Sequence, residues 1–381
     1  MHFDTVRFSH ILEKDKLHNV AYFLSHTAFV VSHKTESIET LMGVLWYLPG
    51  DSPVIVVTNC PEENLASIKS GIQDNLTGHK KIFLVHQKDE HVAYLFGTHG
   101  VEHILGYDGK VLDGKGEGMY IGTLIATLLG YPQWIVFYDA DNIVPCALLE
   151  YTLAMGRLFL AAHPALASYE NRVPAFLHNV RICWSSKPSL TSGKLEENVL
   201  GRCTRVISPL FHGILEHWFG VRDYLVSSSN AGEQAMTMTT ARALRFSSGF
   251  SVETFQLLDF LLKAAELKDL PGSSIYQQYQ SKSPHFHTKR EDEHIRKMIA
   301  VSLGSFFVFR QYIPPGVEDQ IYRLIDDLRL YVTCPLIYPS LDSLDLSGNE
   351  EFVHRYRLFD EVETGEYKIA AAISPSWSDA Q

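Results

Sequence analysis

With 381 residues, 46% of them hydrophobic, the chain is long enough to bury the core of one large domain or of a domain plus an extension. Its formal net charge of -11 excludes binding nucleic acid or an anionic membrane through bulk electrostatics, so an anionic ligand must be met by local positive charge. Five cysteines (Cys60, Cys146, Cys183, Cys203, Cys334) are odd in number, scattered and never in a Cys-x-x-Cys pair, which predicts reduced core thiols in a cytoplasmic protein.

Residues 1–26 read as a mixed polar lead-in without the apolar run of a secretory signal. Four apolar, β-branched runs follow, at 27–31, 53–57, 81–85 and 134–138, and helical spacing of apolar residues separates them, first at Ile38, Leu41, Met42, Leu45 and Trp46. Such alternation predicts an α/β fold with a mostly parallel sheet flanked by helices. The apolar window 119–138 is split by Gly122, Gly130, Pro132 and Gln133 into a helix and a strand, so no membrane segment is expected. Beyond Pro145 come a long apolar helix at 147–162, an extended stretch at 175–183, helices near 206–223 and 231–244, and a strand at 246–252 closed by Glu253. Helices near 291–309 and 318–330 precede a Ser/Pro-containing tail after about residue 360.

All four leading strands end in polar residues, and in a doubly wound sheet these ends surround one crevice. The last of them delivers Asp139-Ala140-Asp141-Asn142. Two carboxylates one residue apart suit a hard divalent cation; read alone, an acidic turn before the helix after Pro145 is the plainer reading. The glycine-rich stretch Gly114-Lys115-Gly116-Glu117-Gly118 can offer N-H groups and an ammonium to a phosphate, although it has neither P-loop nor dinucleotide spacing. His285 and His287 alternate on an extended segment and could complete a carboxylate site; two loop histidines are the plainer reading. Arg181, Lys187, Arg202 and Arg205 supply positive charge on expected loops, and Glu253 is either a site carboxylate or an acid at a helix N-terminus. No serine or cysteine nucleophile signature occurs.

Several ordered motifs resemble the mannosyl-3-phosphoglycerate synthase family. They are Gly114-Lys115-Gly116-Glu117-Gly118-Met119, Asp139-Ala140-Asp141-Asn142, Val180-Arg181-Ile182 with Trp184, Lys187, Pro188, Leu190 and Thr191, Asn230-Ala231-Gly232-Glu233, Ser248-Gly249-Phe250 with Val252 and Glu253, and Ser283-Pro284-His285-Phe286-His287, joined by His86-Gln87-Lys88-Asp89. The resemblance covers roughly residues 27–310 and implies a GT-A, Rossmann-like nucleotide-sugar fold. Residues 27–145 would form the nucleotide-sugar half, 146–310 the acceptor half, and 311–381 a helical C-terminal extension and tail. It further implies GDP-mannose as donor, 3-phosphoglycerate as acceptor and retention of anomeric configuration, in mannosylglycerate biosynthesis. The metal implied is divalent, Mg2+ first, with Mn2+, Co2+ or Zn2+ as alternatives. Neither nucleic acid nor membrane is an expected partner, and a homodimer is left open.

Carried over by position, Asp139, Asp141 and Glu253 are the expected catalytic carboxylates. Asp141, His287 and Asp139 are the expected metal ligands, with His285 as a further candidate. Ser32, Lys34, Glu36, Gln87, Lys88, Lys115, Glu117, Asp139 and Ala140 fall on the donor side. Lys187, Asn230, Ala231, Gly232 and Arg202 fall on the acceptor side. Ser32-His33-Lys34-Thr35-Glu36 departs from the family's Pro-Thr-Arg-Asn-Glu-like run, keeping Glu36 and a basic residue in register. A glucosyl-3-phosphoglycerate synthase-like transferase with another nucleotide sugar, and a non-catalytic nucleotide-sugar-binding protein, are the alternatives.

Overall fold

The computed structural model describes residues 1–7, 20–76, 81–162, 177–184, 188–191, 194–196, 201–269, 274–286 and 292–359. In chain order the strands are β1 (His2–Arg7), β2 (Thr27–His33), β3 (Pro53–Thr58), β4 (Lys81–His86), β5 (Trp134–Asp139), β6 (Leu177–Cys183), β7 (Ser189–Thr191), β8 (Lys194–Glu196), β9 (Gln234–Thr237), β10 (Phe246–Ser247), β11 (Ser274–Gln280) and β12 (Ile337–Tyr338). The helices are α1 (Val20–Ser25), α2 (Ile38–Trp46), α3 (Leu65–Asn75), α4 (Glu90–Thr98), α5 (Lys115–Leu128), α6 (Ala147–Ala162), α7 (Arg202–Phe219), α8 (Met238–Ala243), α9 (Ser251–Glu266), α10 (Asp292–Val308) and α11 (Pro315–Leu328).

Eight strands make one sheet in the order β1-β11-β6-β9-β5-β2-β3-β4, parallel throughout except for β9, which runs antiparallel to both β5 and β6. The leading strands are apolar on both faces because helices cover both. Val30, Ile55, Val85 and Phe137 pack on the face of α5 and α9, whereas Val31, Val56, Leu84 and Tyr138 pack on the face of α2 and α6. At about 25 cal/mol per Å2 of apolar surface removed from water, this double burial is what holds the sheet together.

The mostly parallel sheet flanked by helices is as the alternation predicts, and the second half is rearranged in detail. Residues 231–244 are not one helix: β9 enters the middle of the sheet and only Met238–Ala243 is helical. The strand expected at 246–252 stops after two residues, because Gly249 takes φ +60 and turns the chain into α9, so Glu253 lies in that helix's first turn. Arg181 is not on a loop; it is fully buried on β6. Cys60, Cys183 and Cys203 are core residues as expected, whereas Cys146 and Cys334 are exposed. The lead-in contributes the edge strand β1 and the helix α1. Residues after 359 lie outside the described part, and among the described residues no helix is long and apolar enough to cross a membrane.

Candidate active site

The carboxyl ends of β2, β3, β4 and β5 meet, and the chain leaving each is tied to its neighbour. Asn59 N donates to His33 O at 2.9 Å, Gln87 N to Thr58 O at 2.8 Å, and Ala140 N to Ser32 O at 3.0 Å. Strand alternation puts Asp139 on the same face as Ile135 and Phe137, the face covered by the N-terminal turns of α5 and α9. There Lys115, first residue of α5, places Nζ 2.7 Å from the Asp139 carboxylate and 2.7 Å from Glu253 Oε1. The side chains of Lys115 and Glu253 are 9% and 4% exposed.

An ammonium at a helix N-terminus opposes the helix dipole, and burial alone would lower the Lys115 pKa. The two carboxylates outweigh this and hold it above its ordinary value. Gly232 completes the cradle: a Cβ there would overlap both the Asp139 carboxylate and Lys115 Nζ. Lys115, Asp139, Glu253 and Gly232, expected at the site from four separate motifs, are thus brought together.

Other residues of those motifs hold this group in place. Arg181 donates from NH2 to the backbone oxygen of Glu253 at 2.8 Å and from NH1 to Ser228 O and Ser229 O at 3.2 and 3.3 Å. Its guanidinium thus joins α9 to the loop that carries Gly232, and burial lowers its pKa. The Asn230 side chain donates to Thr254 Oγ1 and Ser302 Oγ and accepts from Ser229 Oγ, so what residues 230–232 turn toward Asp139 is backbone. Ala231 is fully buried. Glu117 is buried, one oxygen taking Tyr338 OH at 2.6 Å and the other Gly249 N at 3.0 Å. It braces the α5 turn and does not face the crevice with a spare oxygen.

Of the residues expected on the donor side, Ser32 is half-buried at the end of β2, and Lys34 is exposed. Glu36 turns back to accept from Lys34 N and Thr35 N at 2.8 and 3.1 Å. Gln87 is buried and donates to Leu112 O. Lys88 pairs with Asp113 at 2.9 Å, and the Lys88 hydrogen bond holds the Asp113 carboxyl below its usual range. Arg202 opens α7 and pairs with Asp292 at 2.6 Å.

Asp141 is half-buried just beyond β5, and two residues further on Ile143 N donates to Phe286 O at 2.8 Å, which ties this turn to the segment that carries His285. His285 is buried beside the Trp184 ring, its Nδ1 3.3 Å from Glu233 Oε1. Glu233 is not among the site residues expected from sequence, and its signal there is a charged residue leading into the otherwise buried β9. His287 and Lys187 lie outside the described residues, and among the described residues no group of three or more His, Cys, Asp or Glu side chains could hold a metal ion. The donor set still suits a hard cation. Asp139 and Glu253 against Lys115 give two carboxylates to one ammonium, a formal -1 before any phosphate enters, and Asp141 follows two residues beyond Asp139. A diphosphate at this strand end therefore needs further positive charge.

Comparison with known proteins gives the family and the fold. The model of the mannosyl-3-phosphoglycerate synthase family matches residues 4–353. The mannosyl-3-phosphoglycerate synthase of Pyrococcus furiosus is 31% identical over 297 residues, 74% of this chain and 72% of the relative. That of Aeropyrum pernix is 30% identical over 328 residues, 84% of this chain and 80% of the relative. Among solved structures, glucosyl-3-phosphoglycerate synthase from Mycobacterium tuberculosis, in complex with Mn2+ and UDP-glucose, superposes with a TM-score of 0.50 at 15% identity, covering 89% of this chain and 98% of that one; the likeness is one of fold.

Proposed function

The chain belongs to the mannosyl-3-phosphoglycerate synthase family, and on that premise we propose that it transfers mannose from GDP-mannose to the 2-hydroxyl of 3-phosphoglycerate, with retention, in the cytoplasm. The observation that most supports this reading is the family match over residues 4–353, and the Lys115 cluster supports where the chemistry takes place.

Transfer of a glycosyl group from a nucleoside diphosphate sugar builds negative charge on the departing diphosphate and positive charge on the anomeric carbon. A catalyst must have partners for both in place before the bond breaks. Lys115, already protonated, donates to the diphosphate, and Asp139 and Glu253 keep its ammonium aimed at the crevice. When the leaving group draws the ammonium toward itself, Glu253 is left with uncompensated negative charge that stabilises the sugar cation. Asp141, His287 and Asp139, with His285 as a further candidate, would hold a divalent ion, which when bound would neutralise the diphosphate charge. The backbone at Asn230 and Gly232, with Lys187 and Arg202, would receive the phosphorylated carboxylate acceptor, while Ala231, whose N-H donates to Ser228 O at 3.2 Å, would hold that turn in place; Arg202 would exchange Asp292 for phosphate. Ser32, Lys34, Glu36, Gln87, Lys88 and Ala140 would line the nucleotide side.

The test is GDP release from purified protein with GDP-mannose, 3-phosphoglycerate and Mg2+, against a panel of other nucleotide sugars, with and without EDTA. Turnover of GDP-mannose that EDTA stops is expected; the reading fails if no nucleotide sugar is turned over with this acceptor. Preference for UDP- or GDP-glucose would instead favour the sister activity, to which the departure at residues 32–36 gives some weight. Asp141→Ala is expected to abolish turnover while the circular dichroism spectrum stays unchanged.

A further inference from the structure

The segment after α11 reaches the transfer site from behind. β12 pairs antiparallel with β10, Tyr338 opposite Phe246 and Ile337 opposite Ser247. The pairing continues for one residue: Ser248 N donates to Leu336 O at 2.9 Å and Leu336 N to Ser248 Oγ at 3.1 Å. From this strand the Tyr338 hydroxyl enters the first turn of α5 and donates to Glu117 Oε1 at 2.6 Å, while Gly249 N donates to Glu117 Oε2 at 3.0 Å. Gly116 N donates to Gly249 O at 3.0 Å in return. The Tyr338 ring is fully buried and stacks on Tyr120 with centroids 5.8 Å apart, and the Tyr120 hydroxyl donates to Pro339 O at 2.9 Å.

A buried carboxylate is costly unless its oxygens are hydrogen-bonded, and both Glu117 oxygens are. Burial pushes Glu117 up from its ordinary value, and burial with the adjacent carboxylate pushes Tyr338 up, so the phenol keeps its proton and remains the donor. Lys115 lies two residues before Glu117 on one turn; Glu253 lies four residues after Gly249 on the other. The two halves of the Lys115–Glu253 ion pair thus stand on segments that the hydroxyl, the carboxylate and the amide fasten together.

We propose that Tyr338 is a positioning residue for the transfer: through Glu117 and Gly249 it sets the separation of the turns carrying Lys115 and Glu253, so the C-terminal segment is part of what shapes the transfer site. The proposal rests on the role given above to Lys115 and Glu253. Tyr338→Phe keeps the stacked ring and removes only the donor. It is expected to lower kcat by about tenfold with KM for 3-phosphoglycerate unchanged, since ground-state acceptor contacts are untouched and the ammonium is misplaced. Ser248→Ala, which loosens the strap at its other tether, is expected to lower kcat in the same direction by less. Amide hydrogen exchange gives a readout independent of turnover: in Tyr338→Phe, residues 114–118 and 247–250 are expected to exchange faster than in the wild type while β2 and β3 do not change. Unchanged exchange in both turns overturns the proposal even if the wild type is active, and so does an unchanged kcat. A wild type inactive on every nucleotide sugar refutes the reading of the reaction, and the exchange measurement then still decides the positioning.

Discussion

At the scale of single residues, Lys115 shows how a buried charge is retained. Its ammonium stands between the half-buried Asp139 and the buried Glu253, and removing one member of a buried ion pair typically costs about 3–5 kcal/mol because the partner is left uncompensated. Lys115→Ala is therefore expected to lose stability of that order in urea unfolding and roughly 100-fold or more in kcat. The pH dependence has a definite sign. In the wild type the Lys115 pKa lies above its ordinary 10.5, so its contribution is fully present below that pH and fades only as pH rises through the higher folded value. The stability deficit of Lys115→Ala should therefore be constant around neutral pH and shrink only as pH rises above 10.5; a deficit in urea unfolding that grows above that pH would contradict the pairing. Lys115, Asp139 and Glu253 were legible in sequence because each sits where glycine or a strand end interrupts an apolar pattern. Glu117 and Asn230 were legible as motif members but not in orientation, since whether a polar side chain faces the crevice or braces the wall behind it depends on partners such as Tyr338 and Ser302, far off in the chain.

At the scale of elements, the four leading strands were legible because each is buried on both faces and has to be apolar throughout. β11 was not, for the opposite reason. Its Ser-Ile-Tyr-Gln-Gln-Tyr-Gln sequence resembles a surface segment, yet Gln277 bonds His178 Nε2 at 2.9 Å and Gln278 accepts from Ser228 Oγ at 2.7 Å, so a polar strand is buried by partners that no local pattern reveals. The α5 turn depends on an equally nonlocal fit. A Cβ on Gly116 would overlap Ser247 O, so helix and loop approach as closely as backbone allows. Gly116→Ala is expected to push the two turns apart. It should lower kcat by at least about tenfold with a stability loss of about 1–3 kcal/mol, checked by steady-state kinetics beside urea unfolding. Unchanged kinetics would mean that the contact between the turns does not transmit to Lys115.

At the scale of the whole molecule, the chain after α11 makes two separable sets of contacts. Its first part, through Leu344, carries Tyr338 to the back of the site. Its second part travels on to the far edge of the sheet: Leu358 N donates to Ile82 O at 2.9 Å, Arg357 bridges Phe83, and Tyr356 OH donates to Asp89 Oδ1 at 2.8 Å, the carboxylate that also caps α4. An uncovered edge strand is a template for pairing with another chain, and here β4 is covered by the protein's own chain, with Val353 and Tyr356 buried beneath the wrap. Truncation after Leu344 separates the two sets. It removes the cover and leaves the strap, so the shortened protein should melt several degrees lower and aggregate more readily, as expected when two side chains worth about 1.5–3 kcal/mol each lose their burial and an edge is opened. Its kcat per folded molecule should stay within about twofold of the full chain, because the Tyr338, Glu117 and Gly249 contacts remain. A truncated protein as stable as the full chain would show the edge to need no cover. One that is stable yet slow would move the influence on the site from Tyr338 to the wrap, and would leave the edge strand, rather than the strap, as the link between the C-terminal extension and catalysis.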